Sequence, residues 1–327
     1  MKQAQITKPN EMEIIEISMP IIAEDEVLIR VKKCGICGTD THIFHGGFDP
    51  QFPVVPGHEF SGVVVCAGDN CQRIKEGMRV AVEPNIPCNN CRFCLNNQHN
   101  YCENMITPGV THDGGFGEYV AVKEIAVFDI GTLDFSLGAL VEPLSCVLHG
   151  IDKVEFKLDS RVLILGAGPI GLMLGYAAQA KGCACIDFLD IDDFRLEMSQ
   201  ELGFNDIYRD LKEIQNKYNI IIDATGFSPI VGDSVKFLAP EGQLLAFGVP
   251  QADSKLILDH YYVFKHEIKI ISALTSKKDT LRAISFLNQN ALNMSHLISH
   301  EISLEEFVEY MKGNFKIENT LKILVRP

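Results

Sequence analysis

Hydrophobic and polar residues alternate over the first third of the chain with the two-residue period of β-strands. In residues 27–32, Val, Ile and Val alternate with Leu28, Arg30 and Lys32. Two further runs of β-type residues, 63–66 and 79–82, are separated by Gly, Asp and Asn residues that favour turns. No sustained helical period occurs before Gly131. This part of the chain predicts a compact, irregular β domain.

The pattern changes at Ser136, after which apolar residues recur at helical spacing up to Gly150. Beyond this helix the sequence predicts strands at 161–165, 185–189, 220–223 and 244–247, and helices at 170–181 and 195–202. Apolar strands that alternate with helices indicate a parallel sheet covered on both faces, so we expect an α/β domain of the doubly wound type. The alternation lapses past Ile271, and Ser303 with Glu306 predicts a capping box before a short helix that ends at Gly313.

Composition and charge indicate the number of domains and argue against some classes of partner. A length of 327 residues suggests two domains, and 46% hydrophobic residues are enough to form their cores. The net charge of −14 argues against a nucleic-acid partner, which needs a basic surface, and against binding to anionic membranes. The apolar stretch 162–180 has the length of a membrane span, but its glycines and proline fit a strand–turn–helix better. With eleven cysteines and no targeting segment, we expect a cytoplasmic protein in a reducing compartment.

Four cysteines form a cluster in the first domain: Cys88, Cys91, Cys94 and Cys102, at the spacing C-x2-C-x2-C-x7-C. Four thiolates this close in sequence can surround one tetrahedral Zn²⁺, and structural zinc sites are closed in this way. An iron–sulfur cluster also takes four thiolates, but the fourth cysteine lacks the x3-C-P context of the ferredoxin pattern. Disulfides need an oxidising compartment, which the sequence does not indicate. We predict a structural zinc in a lobe of about residues 84–104, with a cluster, disulfides or a metal-free site as the alternatives.

A glycine motif marks a nucleotide site. Its residues follow a predicted strand and open a predicted helix: Gly166, Gly168, Pro169, Ile170 and Gly171. In the dinucleotide fingerprint the first glycine allows a tight turn, the second lets the backbone approach the pyrophosphate, and the third permits close helix–strand packing. The helix N-terminus then offers N–H groups and partial positive charge to the phosphates.

Asp190 favours NAD over NADP. It lies nineteen residues beyond Gly171, at the end of the second strand, where a carboxylate can accept both ribose hydroxyls and would repel a 2′-phosphate. The next basic residue, Arg195, falls a turn into the following helix, and we expect it to lie beside the cofactor. Asp192 or Asp193 is the alternative ribose ligand.

Cys37, His58 and Glu59 form a candidate set of ligands for a second metal ion. Cys34 and Cys37 also form a C-x-x-C pair, which is typical of redox sites, but no helix is predicted after Cys37 to support that interpretation. A lone histidine is more often structural than a ligand. The combination with a thiolate and a dinucleotide motif favours a catalytic metal site, in which one coordination position stays open.

Together these motifs resemble the zinc-dependent medium-chain dehydrogenase/reductase family, close to its polyol (sorbitol) and threonine dehydrogenase branch. Besides the cysteine lobe, the matching segments are GICGTDTH (35–42), PGHEFSG (56–62), DGGFGEY (113–119), LVEPLSC (140–146), LGAGPIG (165–171) and IIDATG (221–226). The resemblance implies a GroES-like β-rich catalytic domain, residues 1–142 and 272–327, interrupted by a Rossmann NAD-binding domain, residues 143–271. It also implies two zinc ions per chain, one catalytic and one structural.

The resemblance assigns roles at the matching positions. Cys37 and His58 would hold the catalytic Zn²⁺, and Glu59 would be the third ligand or would alternate with Glu142. Zn²⁺ acts as a Lewis acid that lowers the pKa of an alcohol, which then gives hydride to the nicotinamide. Thr39 would pass the alcohol's proton onward to an imidazole, that of His42. The alternatives are that the threonine is a turn hydroxyl and the histidine an exposed loop residue.

We expect the chain to be an NAD-dependent enzyme that oxidises a secondary alcohol of a polyol, sugar alcohol or aldonate. The runner-up is oxidation of the L-threonine hydroxyl, and a third hypothesis is a relative that binds zinc and nucleotide without catalysis. No cluster of Lys or Arg suggests a phosphorylated substrate. Because dimers and tetramers are usual in the family, we expect a homo-oligomer, with an exposed strand around residues 256–258 pairing across a dimer axis.

Overall fold

The computed structural model describes residues 1–47, 50–183 and 185–327. The described chain folds into two compact units. Unit 1 comprises residues 1–145 and 276–327, and unit 2 comprises residues 146–275. The predicted metal ligands all lie in unit 1, and the glycine motif lies in unit 2.

The strands are numbered along the chain. They are β1 (Lys2–Lys8), β2 (Glu11–Glu16), β3 (Glu26–Gly35), β4 (Glu59–Ala67), β5 (Arg79–Val82), β6 (Tyr119–Lys123), β7 (Val127–Asp129), β8 (Arg161–Leu165), β9 (Cys185–Leu189), β10 (Ile207–Tyr208), β11 (Tyr218–Asp223), β12 (Leu238–Ala246), β13 (Lys269–Ser272), β14 (Ile298–Ser303) and β15 (Lys322–Arg326).

The α-helices are numbered in the same way. They are α1 (Gly38–Phe44), α2 (Arg92–Leu95), α3 (Phe135–Gly138), α4 (Val141–Ile151), α5 (Pro169–Ala180), α6 (Asp193–Glu201), α7 (Ser228–Ser234), α8 (His260–Lys265), α9 (Thr280–Gln289), α10 (Ala291–Ser295) and α11 (Leu304–Met311). None of the helices in the described part of the chain combines the length and the apolar character needed to cross a membrane.

Unit 1 is built on a mixed sheet whose described strands run in the order β14, β15, β3, β4, β5, β7, with β6 also paired to β3. The alternation predicted for residues 27–32 does give a strand, but Val27, Leu28 and Ile29 are all buried. The reason is that β3 lies in the middle of the sheet and helix α3 packs against it, so both faces are covered at these three residues, while Arg30 is exposed. In the core of the unit the rings of Phe116 and Phe307 pack with centroids 4.0 Å apart.

Unit 2 contains a parallel sheet whose described strands run in the order β10, β9, β8, β11, β12, β13. Strands β8 and β11 at its centre consist mainly of buried apolar residues, as expected when helices cover both faces. The strand order reverses between β8 and β11, and doubly wound sheets bind their ligands in the crevice at this point. The structure therefore confirms the predicted fold class, an α/β doubly wound sheet together with a β-rich unit.

Asp187 is a fully buried carboxylate inside the otherwise apolar strand β9. Three N–H and O–H donors satisfy it: the Tyr218 hydroxyl at 2.8 Å, the Asp206 backbone N–H at 3.1 Å and the Arg161 guanidinium at 3.3 Å. The Cys185 thiol adds a weaker contact at 3.7 Å. Burial, reinforced by this carboxylate, raises the pKa of Tyr218, so its hydroxyl remains a proton donor. The network removes the cost of an unpaired polar group in the core.

Some elements differ from the sequence prediction. The single helix expected at 136–150 is divided into α3 and α4, because Pro143 has no N–H for the carbonyl of Ala139 and its ring would clash with that carbonyl. Helices α1 and α2, with seven and four residues, are too short to show a helical period. Helix α1 follows Cys37, where the sequence predicted no helix. A redox role for the C-x-x-C pair is still not favoured, because Cys34 is buried and its burial raises the pKa of its thiol.

The strand predicted at residues 256–258 is wrong. In the described chain this segment pairs with no strand and instead passes α7, where the carbonyl of Ile257 closely approaches Gly232. The last strand of the unit 2 sheet is β13, which pairs only with β12 among the described strands.

The capping box predicted at the last helix is confirmed. Ser303 Oγ accepts from the Glu306 N–H at 3.1 Å, and the Glu306 carboxylate accepts from the Ser303 N–H at 2.8 Å. Helix α11 starts at Leu304, directly after Ser303, and Gly313 follows its end with a φ of +78°.

Candidate functional site

Two neighbouring strands bring Cys37, His58 and Glu59 together. Cys37 follows the end of β3 and is the N-cap of α1, while Glu59 is the first residue of β4. Because β3 and β4 pair antiparallel with Gly35 opposite Glu59, the end of one strand meets the start of the other. The ligand atoms of the three side chains lie within 4.8 Å of one another. This separation fits three ligands of one metal ion.

Asp40 supports two of these ligands and was not predicted from the sequence. Its side chain is completely buried, and it accepts the Cys37 N–H at 2.8 Å and the Gly57 N–H at 3.1 Å. Its Oδ1 also lies 3.5 Å from Nδ1 of His58. Burial lowers the pKa of His58, but the negative charges of Asp40 and Cys37 outweigh that effect and hold the pKa well above its ordinary value. A carboxylate behind a ligating histidine fixes its ring orientation and tautomer.

Lys322 is a buried ammonium beside the same site, also missed by the sequence analysis. It is the first residue of β15, forms an ion pair with Glu59, and donates to the carbonyl of Ile36 at 2.9 Å. Burial lowers its pKa, but Glu59 and Cys37 raise it further, so the net shift is upward. A Cβ at Gly35 would collide with the carboxylate of Glu59 and lie 2.7 Å from Cε of Lys322, so a larger residue here would displace this pair.

The other predicted catalytic residues are Thr39, His42 and Glu142, and their surroundings differ. Thr39 and His42 are three residues apart on α1, which places them on one face; Thr39 is partly buried and His42 is exposed. Glu142 is a buried residue of the first turn of α4. In the described structure its carboxylate is not part of the group formed by Cys37, His58 and Glu59.

The four predicted cysteines of the lobe converge around helix α2. The ligand sulfurs of Cys88, Cys91, Cys94 and Cys102 all lie within 4.8 Å of one another. Two of the sulfur–sulfur distances are 4.0 Å, twice the length of a disulfide bond but close to the ~3.8 Å expected across a tetrahedral ZnS4 centre. The N–H groups of Asn90 and Cys91 help lower the pKa of Cys88 to about 6, which favours the thiolate that a metal requires.

The glycine motif forms the expected strand–turn–helix. Gly166 follows β8 with a φ of +98°, Gly168 is the N-cap of α5, and Pro169 is its first residue. A Cβ on Gly171 would collide with the carbonyl of Gly166, so the close packing of helix on turn requires glycine here. Ile170 lies in the first turn of α5, whose N–H groups point towards the edge where the strands end.

Asp190 lies beside this loop, at the end of β9. It accepts the Ala167 N–H at 2.7 Å and the Asp192 N–H at 3.0 Å, and only 9% of the residue is exposed. Asp192 caps α6 by accepting the Arg195 N–H at 3.3 Å, and Asp193 forms an ion pair with Arg209. These contacts engage both alternative ribose ligands in local structure, and Asp190 is the acid in contact with the glycine loop.

Arg195 also approaches the loop. Its Nη1 lies 3.7 Å from the position that a Cβ of Gly168 would occupy, and its Nε lies 3.7 Å from the Asp192 carboxylate. The guanidinium is thus close to the turn where a dinucleotide's phosphates or adenosine ribose would bind.

The sequence is similar to known alcohol and polyol dehydrogenases. Residues 23–132 match the alcohol dehydrogenase GroES-like domain, and residues 135–323 match the glucose dehydrogenase C-terminus. The chain is 33% identical to D-arabinitol dehydrogenase 1 of Uromyces fabae, covering 98% of this chain and 95% of that protein. It is 29% identical to D-altritol 5-dehydrogenase of Agrobacterium fabrum, covering 99% and 98%.

A solved structure is similar over the whole chain. A protein from Sinorhizobium meliloti, assigned as a zinc-binding dehydrogenase and bound to NADP, superposes with a TM-score of 0.94. It is 29% identical in sequence, and the match covers 100% of this chain and 99% of the other.

Proposed function

The chain belongs to the zinc-dependent medium-chain dehydrogenase family, and we propose that it oxidises a secondary alcohol of a polyol, sugar alcohol or aldonate with NAD. The observation that carries the proposal is the convergence of Cys37, His58 and Glu59 within 4.8 Å of one another, in a chain that also has a complete dinucleotide motif. The similarity to D-arabinitol and D-altritol dehydrogenases supports a polyol substrate.

Cys37, His58 and Glu59 would hold the catalytic Zn²⁺. The donor set fits: one sulfur, one imidazole nitrogen and one carboxylate oxygen are typical zinc ligands, and three protein ligands leave a position open. Nδ1 of His58 faces Asp40, so Nε2 would be the nitrogen that binds the metal. When bound, Zn²⁺ supplies a Lewis acid that makes an alcohol hydroxyl easier to deprotonate.

Thr39 and His42 would carry the released proton. The Thr39 hydroxyl can accept a proton from the alcohol and donate its own, and the imidazole of His42 can pass it on to water. The increase in exposure from Thr39 to His42, on one face of α1, supports a path from the interior to solvent. Glu142 would act as an alternative ligand when Glu59 withdraws to Lys322; the ion pair between those two residues offers such a withdrawn position.

Asp190 supports NAD as the cofactor. Its carboxylate is held at the glycine loop by two backbone N–H groups, so a 2′-phosphate at the adenosine ribose would meet a fixed negative charge. The similar structure from Sinorhizobium meliloti is bound to NADP, so similarity does not itself favour NAD over NADP. The proposal of NAD rests on Asp190.

The cysteine lobe would hold a second, structural Zn²⁺, giving two per chain. Four mutually adjacent thiolates close the coordination shell, so this ion would stabilise the lobe and have no position for substrate.

A homo-oligomer is the expected assembly. Strand β13 ends the described sheet of unit 2, and Ile270 on this strand is 43% exposed. The preceding helix α8 exposes Tyr261 and Phe264. A strand with one free edge, next to exposed apolar side chains, can pair with its copy across a two-fold axis.

The proposal is tested by following NAD reduction at 340 nm with a panel of polyols, sugar acids and L-threonine. Reduction with a polyol or aldonate, exceeding that with threonine, supports the proposal. Reduction with threonine alone would assign the chain to the threonine enzymes, and no reduction with NADH binding intact would indicate a non-catalytic relative.

A further inference from the structure

Glu83 is a buried carboxylate that none of the proposed chemistry uses. It directly follows β5 and only 8% of the residue is exposed. One of its oxygens accepts two hydrogen bonds from Asn85, at 3.1 Å from the backbone N–H and 2.7 Å from the side-chain amide. Glu83 is therefore held firmly on the chain segment that leads from β5 to the cysteine lobe.

The second oxygen of Glu83 faces three hydroxyl groups from distant parts of the sequence. Ser276 donates at 2.8 Å and Thr280 at 3.0 Å, and Ser145 lies at a longer 3.4 Å. Ser145 is the residue at which the chain leaves unit 1, and Ser276 is the residue at which it returns. A single carboxylate thus contacts both ends of the interruption in unit 1.

A carboxylate at position 83 costs energy to bury but offers hydrogen bonds that an apolar residue could not. In the described structure the groups that donate to Glu83 are hydroxyl and amide groups of unit 1, and no ion pair accompanies them. A carboxylate buried among neutral donors has a large desolvation cost, which an apolar residue at the same position would avoid. What the carboxylate adds is the ability to accept several hydrogen bonds at once from separate segments.

Ser145 links this cluster to the candidate metal site. It lies one turn into α4, and its hydroxyl donates back to the first turn, 2.8 Å from the carbonyl of Glu142 and 3.0 Å from that of Val141. Glu142 is the residue proposed to exchange with Glu59 at the catalytic metal. Movement of the first turn of α4 would therefore move the carboxylate of Glu142.

We propose that Glu83 is a positioning residue that fastens both crossover segments of unit 1 to the end of β5 and thereby fixes the turn that carries Glu142. The fastening stands on geometry: the hydrogen bonds of Ser276 and Thr280 hold the second crossover, and the 3.4 Å contact of Ser145 holds the first more weakly. The effect on turnover rests on the proposed function. The role depends on hydrogen bonding: a glutamine at position 83 can keep its oxygen on Asn85 and turn its amide to the hydroxyls, which can accept as well as donate. An alanine can do neither.

Hydrogen–deuterium exchange of the purified, full-length protein tests the fastening directly. For Glu83→Ala we expect the amides of the first turns of α4 and α9 to exchange about tenfold faster, the effect of losing buried hydrogen bonds to a charged group. Glu83→Gln should exchange like the wild type. Ser276→Ala, a smaller change for the event that Glu83→Ala does not fold, should accelerate the first turn of α9 by about threefold.

The matched control is Glu124→Ala, which removes another carboxylate of unit 1 that accepts a backbone N–H, that of Ile74 at 2.9 Å. It should leave exchange in α4 and α9 unchanged. Equal acceleration by Glu124→Ala, or no acceleration by Glu83→Ala and Ser276→Ala, would overturn the proposal.

Kinetics then separates positioning from general stability. With the best substrate of the panel, we expect Glu83→Ala to lower kcat about tenfold while the Kd for NADH stays within about twofold of the wild type, and Glu83→Gln to retain both. Loss of NADH binding together with kcat would show unfolding instead of mispositioning. If the wild type oxidises nothing, the proposed function fails, but the exchange result still decides whether Glu83 fastens the crossovers.

Discussion

The ammonium of Lys322 forms an ion pair with the carboxylate of Glu59 in the interior of unit 1, where 6% and 1% of the two side chains are exposed. Lys322 comes from the last strand of the chain and Glu59 from β4, so the pair joins the C-terminal segment to the candidate metal site. The lysine would hold the glutamate if it left the proposed metal ion, and it balances part of the negative charge of Cys37, Glu59 and Asp40.

Replacing Lys322 by methionine should destabilise the protein by about 3–5 kcal/mol, because Glu59 would remain buried without its counter-ion. Lys322→Arg should lose less, and Lys322→Met combined with Glu59→Gln should recover part of the loss. The measurement is urea unfolding followed by circular dichroism. As a control, Lys123→Met removes the exposed pair with Asp25 and should cost no more than about 1 kcal/mol. Equal losses for Lys322→Met and Lys123→Met would contradict the assigned role.

Asp40→Asn should weaken metal binding at the catalytic site by about 10–100-fold, because one of its two backbone hydrogen bonds and the support of His58 are lost. Competition with a chromogenic chelator measures this affinity. Asp25→Asn, at the surface, should bind metal like the wild type. Unchanged metal retention in Asp40→Asn would show that His58 does not depend on this carboxylate.

Asp190→Ser should shift cofactor preference towards NADP, since it removes the fixed charge that would repel a 2′-phosphate. We expect the ratio of kcat/KM for NADP to that for NAD to rise by at least about tenfold, the equivalent of ~1.4 kcal/mol. Asp193→Ser, which breaks only the ion pair with Arg209, is the matched control and should leave the ratio unchanged. A wild type that already prefers NADP would refute the role of Asp190.

Cys91→Ser should release the metal of the lobe and leave the other site loaded, so that zinc falls from two ions per chain to one. The reason is that three thiolates and a hydroxyl bind Zn²⁺ far more weakly than four thiolates. Inductively coupled plasma mass spectrometry of dialysed protein gives the count. Cys66→Ser changes a cysteine outside the cluster and should keep both ions. If Cys91→Ser still holds two, the lobe is not a zinc site.

Several strands could be predicted closely from the sequence. The strands β5, β8 and β9 begin and end at the predicted residues, because short apolar runs bounded by turn residues have one reasonable interpretation. Elements of only a few residues, such as α1 and α2, carry no period and were not predicted. The strand expected at 256–258 failed for a different reason: apolar residues in an extended segment do not reveal whether a partner strand is present.

The candidate site was accessible from the sequence only for residues whose chemistry is specific. Cysteines and a histidine at short spacing suggest metal ligands, and the structure brings Cys37, His58 and Glu59 together. Asp40, Lys322 and Glu83 are ordinary charged residues in sequence, and their roles depend on burial and on partners far along the chain. These roles become visible only in the folded chain, where β15 and residues 276–280 contact residues of the segment 1–145.

We propose that Cys37 is a ligand of a catalytic metal in an NAD-dependent alcohol dehydrogenase. The most direct measurement compares wild type and Cys37→Ser for NAD reduction with the best polyol or aldonate, alongside NADH binding by fluorescence titration. Cys37→Ser should lose turnover by at least about a thousandfold, since the metal's stabilisation of transition-state charge is lost, while its Kd for NADH stays within about twofold of the wild type. Turnover by Cys37→Ser at a rate near that of the wild type would contradict the account.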